Sequence, residues 1–145
     1  RYNAFVAGSF ELFDHTADMG IRVCAETREG LFWPAAAGLY AAFGELRPAQ
    51  KASTPFRFDE QGRDDAVLLR DYLTELLILF ERERKMLVSI ESASFGDGKL
   101  VVSGKAADVD LERSVYCREV KAITYHDLSI CEVDGGYEAT LIVDI

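Results

Sequence analysis

Residues 14–20 have the sequence DHTADMG and lie between two apolar segments, residues 10–13 and residues 21–25. Both apolar segments predict short β-strands, with the polar residues between them forming the connection. A turn in which Asp14 or Thr16 bonds its own backbone would explain the polar residues. Carboxylates so close to buried strands are costly unless they are paired, hydrogen-bonded or bound to a metal. This stretch therefore predicts either a polar turn or a cation site.

Length and composition predict one domain across residues 1–145, large enough for a hydrophobic core. The longest apolar run, residues 76–80, is too short to cross a bilayer, and no secretion signal is recognisable. We therefore expect a cytoplasmic protein without membrane contact. The net charge of −9 argues against direct binding to a phosphate backbone, and it favours a cation or a locally basic protein as partner.

The chain has three cysteines, Cys24, Cys117 and Cys131, and none of them belongs to a CxxC motif. The sequence therefore lacks the spacing typical of a zinc knuckle or of a thioredoxin-like redox site. Buried, reduced thiols are the expected state of all three in a cytosolic protein.

A first helix is predicted after Thr27, a residue suited to an N-cap. Apolar residues recur at helical spacing through residues 31–43, and Gly44 is a natural stop. Pro34 conflicts with a regular helix from residue 28, so the helix is expected to start late or to kink there.

A second helix is predicted from Asp64 or Asp65, because apolar residues follow the 3–4 spacing through residues 69–80. The turn residues 96–98 predict a hairpin. Strands are predicted at residues 53–59, 87–95, 100–106, 119–125 (with a helix as the alternative), 128–133 and 137–144. Two helices among many strands predict an α+β fold, a two-layer sandwich with two main helices packed on one face of a mixed β-sheet.

The last predicted strand ends in residues 139–145, ATLIVDI, which are almost all apolar. Such a composition predicts an interior strand that is covered on both faces. Asp144 and the α-carboxylate of Ile145 would then place two negative charges within one residue, which is unfavourable unless they are solvated or neutralised. A solvated chain end is the simple explanation. If Asp18 lies beside them, three hard oxygen donors converge, as Ca²⁺ prefers.

Residues 121–126, KAITYH, combine a cation, a phenol and an imidazole, with Asp127 directly after them. Taken alone, Lys121 is typical of an exposed strand charge, and His126 of a histidine bonded to backbone. These residues predict a functional site only in combination with the two acidic segments.

The three segments DHTAD, KAITYH and the final Asp-Ile resemble, in order and in approximate separation, the signature of the archease family, small proteins that assist RtcB-type RNA-splicing ligases. The resemblance covers roughly residues 10–145. It implies that Asp18 and Asp144 are ligands of a calcium ion, or of another divalent ion. Ile145 would add a main-chain or terminal carboxylate oxygen.

The resemblance also assigns supporting or partner-facing positions to four further residues. Lys121 matches a basic position near the metal site. Asp14, His15 and His126 match motif positions without individual roles, and Asp14 or His15 would orient the metal ligands as supporting groups.

The function implied by the resemblance is that of a non-enzymatic protein cofactor. It would promote guanylylation of the ligase's histidine and multiple turnover in joining tRNA halves, meeting RNA only through the ligase. The alternative is a free-standing metal-dependent hydrolase in which Asp14, His15, Asp18 and His126 hold Zn²⁺ or Fe and an activated water. The chain lacks HExxH or another close two-histidine spacing, which weakens that alternative.

Overall fold

The computed structural model describes residues 8–145, so the first seven residues of the predicted domain lie outside the described part. Residues 8–145 contain two α-helices and ten strands. In order, they are β1 Ser9–His15, β2 Asp18–Ala25, a 3₁₀ turn Glu29–Leu31, α1 Phe32–Phe43, β3 Gly44–Glu45, β4 Thr54–Gln61, α2 Asp65–Glu83, β5 Lys85–Gly96, β6 Lys99–Asp108, β7 Val115–Tyr116, β8 Ala122–Ile123, β9 Ser129–Val133 and β10 Gly136–Asp144.

The strands form two main sheets and a small ribbon. The larger sheet has the order β1-β2-β10, with β8 and β9 both paired to the far edge of β10. The smaller sheet has the order β4-β6-β5, and β3 pairs with β7. Every strand pairing within residues 8–145 is antiparallel. The α+β class is confirmed. Instead of one mixed sheet, the strands form separate antiparallel sheets, because short hairpin connections join antiparallel strands.

The two helices pack on these sheets and on each other. Helix α1 lies against β1 and β2, and α2 lies against the β4-β6-β5 sheet and reaches β8. Their buried side chains join those of both sheets in one hydrophobic cluster. The larger sheet therefore has one face turned toward α1 and the core, and the opposite face turned away from it.

The start of α1 follows from Pro34. The helix begins at Phe32, so the proline lies in the first turn, where its missing N–H is not needed. The predicted late start is thus confirmed. The prediction of Thr27 as the N-cap of this helix is wrong, because Leu31 takes that position. Thr27 instead precedes the 3₁₀ turn, where its hydroxyl accepts a hydrogen bond of 3.0 Å from the amide of Gly30.

The closing strand is interior, as predicted. β10 pairs with β2 on one edge and with β8 and β9 on the other. Leu141, Ile142 and Val143 are fully buried, so both faces of the strand are covered near its end. The predicted strand at residues 119–125 is shorter than expected, because only Ala122–Ile123 pairs with β10.

The prediction of buried cysteines is wrong for two of the three. Cys117 and Cys131 are exposed, and only Cys24 is half-buried; all three are free thiols. Burial raises the pKa of the Cys24 thiol, and the nearby carboxylate of Glu138 raises it further. None of the helices within the described residues has the length and apolar character that crossing a bilayer requires.

Candidate functional site

Strand register brings the two predicted acidic ligands side by side. In the β1–β2 hairpin His15 pairs with Asp18, and Val143 of β10 pairs with Met19 of β2. Continuing that register by one residue places Asp144 next to Asp18. Directly opposed residues on neighbouring antiparallel strands point to one face, with Cβ atoms about 5 Å apart. Residues from opposite ends of the chain therefore meet in one row.

This row lies on the face of the sheet turned away from α1. The alternate positions of the same strands, such as Ile21 and Val143, are fully buried in the core. Strand alternation puts Asp18 and Asp144 on the other face, where both are half-buried. We name the Asp18 and Asp144 carboxylates the acidic row; His15 lies beside Asp18 at its border.

Gly20 and Phe13 cover the sheet beside the acidic row. A Cβ built on Gly20 would lie 2.1 Å from an atom of the Phe13 ring, so only glycine leaves room for this ring. The guanidinium of Arg22 lies 4.5 Å from the centroid of the same ring. The last two residues of the DHTADMG stretch thus continue β2, and Gly20 makes space for an aromatic cover next to the carboxylates.

The carboxylates of Asp18 and Asp144 have no ion-pair partner in the part of the chain that the structure describes. Among residues 8–145, no lysine, arginine or histidine forms an ion pair with either of them. Like charges directly across a strand pair are destabilising, so the pair favours a bound cation. Both donors are hard oxygens, and this donor set fits the calcium ion that the sequence resemblance implies.

The segment 121–126 borders the acidic row through its backbone. The amide of Lys121 donates a hydrogen bond of 2.7 Å to the carbonyl of Asp144. Thr124 donates to the carbonyl of Ile142 twice, from its amide at 2.9 Å and from its hydroxyl at 3.0 Å. Lys121 therefore lies next to Asp144 through its backbone, and its side chain is exposed.

The two histidines of the chain meet at one carboxylate. The Nε2 atom of His15 lies 3.2 Å from Oδ2 of Asp127, and the Nε2 atom of His126 lies 3.6 Å from the same oxygen. The two imidazole rings are 5.1 Å apart, edge to face at 63°. We name these three residues the His-Asp cluster. It joins the β1–β2 turn to the turn that follows β8.

Asp127 is the residue of this cluster to which the sequence motifs assign no role. Its signal was its position directly after His126, at the end of a predicted strand. Asp14, by contrast, does not join the cluster: it pairs with Met19, in the next row, and so points to the opposite face from His15. The set of four ligands required by the hydrolase alternative is therefore not brought together.

Both turns at the site hold a residue in the left-handed backbone region. Thr16 has a φ of +49° and Asp127 a φ of +51°. Aspartate tolerates this conformation, but it is strained for a β-branched threonine. Such backbone outliers concentrate at functional sites, where surrounding contacts maintain them.

Comparisons with known proteins agree with the sequence motifs. The sequence model of the Archease protein family matches residues 10–145. Protein archease of Pyrococcus furiosus is 36% identical over 143 residues, covering 94% of this chain and 98% of that protein. The solution structure of protein 1598 of Methanobacterium thermoautotrophicum is 28% identical, with a TM-score of 0.73 over 94% of this chain and 99% of that one.

A second solved structure supports the fold alone. The crystal structure of an archease, described as a possible chaperone, from Thermotoga maritima is 16% identical and superposes with a TM-score of 0.66. The superposition covers 93% of this chain and 96% of the Thermotoga maritima chain. Taken with the family match over residues 10–145, these relatives show that the chain belongs to the archease family.

Proposed function

We propose that this protein is a non-enzymatic activator of an RtcB-type RNA ligase and that it acts through a divalent cation held by Asp18 and Asp144. Membership in the archease family supports the class of function. The observation that carries the site is the placement of Asp18 beside Asp144, from opposite ends of the chain, with no ion-pair partner for either carboxylate among residues 8–145.

Each residue has a distinct part in the proposed site. The carboxylates of Asp18 and Asp144 would hold the ion, and Ile145 would add a main-chain or terminal carboxylate oxygen. His15 borders Asp18 in the same row, and the backbone of Lys121 holds the carbonyl of Asp144. When bound, calcium neutralises the two carboxylates and has room for oxygen donors from a partner, since it accepts about 6–8 ligands.

The overall charge favours the ligase, rather than RNA alone, as the partner. At −9 the chain would repel a free phosphate backbone, whereas it can dock on a locally basic protein surface. We propose that the acidic row faces the ligase's nucleotide site. There it would promote guanylylation of the ligase histidine and so permit multiple turnover in the cytoplasm.

The first test is a ligation assay with an RtcB-type ligase in which the RNA substrate exceeds the ligase tenfold or more. Without this protein we expect the reaction to stop after about one turnover per ligase. With it, we expect product to exceed the ligase concentration and the guanylylated fraction of the ligase to rise. The protein alone, without ligase, serves as the control and should join no RNA. Unchanged turnover and guanylylation would contradict the proposal.

A further inference from the structure

We propose that His15, His126 and Asp127 form a second metal site, one that takes a transition-metal ion of the zinc class. It differs from the acidic row in its donors, which are two imidazole nitrogens and one carboxylate oxygen. The site does not depend on the proposed ligase role, because the positions of these three side chains alone define it.

The spacing of the donor atoms suits a small metal ion. In a tetrahedral zinc site, bonds of about 2.0–2.1 Å place neighbouring donors about 3.3 Å apart. The two histidine nitrogens lie 3.2 and 3.6 Å from Oδ2 of Asp127, and one donor atom from each residue can be chosen so that all lie within 4.8 Å of one another. Small side-chain movements would therefore bring three donors to bonding distance of one ion.

The backbone prepares this arrangement. His15 is the last residue of β1, whereas His126 and Asp127 follow β8. Asp127 lies 112 positions after His15 in the sequence. The amide of His126 donates a hydrogen bond of 3.1 Å to the hydroxyl of Thr124, which is itself bonded to β10. Asp127 has a left-handed backbone conformation, and in this turn Nε2 of His126 lies 3.6 Å from Oδ2 of Asp127. The donors are thus largely in place before an ion binds.

Donor chemistry separates the two sites. Imidazole nitrogen is a preferred ligand of Zn²⁺, Co²⁺, Ni²⁺ and Cu²⁺, whereas Ca²⁺ takes oxygen. The side chains of His126 and Asp127 are 64% and 59% exposed, so an ion held here keeps an open coordination position toward solvent or a partner. Three protein ligands with one open position are typical of reactive rather than structural zinc sites.

The test uses zinc calorimetry together with nuclear magnetic resonance of the imidazole protons. The chain contains two histidines, so each gives its own assignable ring signals. We expect one zinc ion to bind, both rings to shift together, and His15→Ala, His126→Ala and Asp127→Asn each to weaken binding at least tenfold. Excess Ca²⁺ should leave this binding in place, and Asp18→Asn and Asp144→Asn should keep it.

The exposed thiols are the competing ligands to control for. Cys117→Ser and Cys131→Ser should leave zinc affinity unchanged, and Co²⁺ in the site should show d–d bands without strong thiolate charge-transfer absorption. Thermal unfolding without metal checks that the histidine variants fold. Zinc affinity that survives both histidine substitutions, or that is lost with a cysteine, would overturn the proposal. None of these measurements involves the ligase, so they are independent of the ligation assay.

Discussion

Replacing Tyr72 by alanine is expected to lower the free energy of unfolding by about 3–5 kcal/mol, as for other large buried aromatic residues. Tyr72 lies on α2 and is fully buried. Its ring centroid lies 5.3 Å from that of Phe32 and 6.1 Å from that of Phe58. Its hydroxyl donates a hydrogen bond of 3.1 Å to the carbonyl of Phe32. The residue thus connects α1, α2 and the smaller sheet.

Chemical denaturation of the purified protein measures this loss. Tyr72→Phe is the matched control, because it keeps the ring and removes only the hydroxyl; we expect it to cost about 1 kcal/mol. It also remains measurable if Tyr72→Ala fails to fold, which is a realistic outcome for a domain whose total stability is about 5–15 kcal/mol. A loss under about 1 kcal/mol for Tyr72→Ala would contradict the described core.

The second large effect concerns activity. Asp18→Asn and Asp144→Asn are each expected to reduce stimulation of multiple-turnover ligation by more than about tenfold. Removing a ligating carboxylate should cost at least as much as removing a residue that only orients a ligand, for which about 10–100-fold is usual. The assay compares product formed per ligase with wild type and each variant at a fixed calcium concentration.

Two controls separate lost activity from lost folding. Glu75→Gln removes an exposed carboxylate of α2, a helix that contributes no residue to the acidic row, and should stimulate like wild type. Without calcium, both aspartate variants should unfold at or above the wild-type temperature, because each removes a repulsion between neighbouring carboxylates. Full stimulation by both aspartate variants would contradict a role for the acidic row.

Local patterns in the sequence predicted the elements whose signals are local. Pro34 indicated the late start of α1, and the turn at residues 96–98 indicated the β5–β6 hairpin, which the structure has at Lys85–Gly96 and Lys99–Asp108. The apolar run before Asp144 indicated an interior strand. In each case the deciding contact lies within a few residues of the signal.

Features that depend on distant pairing could not be predicted in this way. The division into two main sheets is set by which strands pair, and β2 pairs with β10 from the other end of the chain. Of residues 119–125, only Ala122 and Ile123 pair with β10, opposite Asp144 and Val143, while β9 pairs along residues 136–140 of the same edge. Cys131 is exposed on β9, a strand whose place beside β10 is likewise set by distant pairing.

The candidate site was predictable in its parts but not in its assembly. Asp18 and Asp144 were each identifiable as carboxylates next to apolar strands, but only the β2–β10 register makes them neighbours. His15 and His126 were candidates by motif alone. Their common partner Asp127 becomes evident only when the two turns are seen together.

The most direct test of the proposed cation site is a crystal structure of the protein grown with calcium, with the ion identified by its anomalous scattering. We predict an anomalous peak between Asp18 and Asp144, with carboxylate oxygens of both residues at about 2.3–2.6 Å. A map with no ion between these two carboxylates in the presence of calcium would contradict the account.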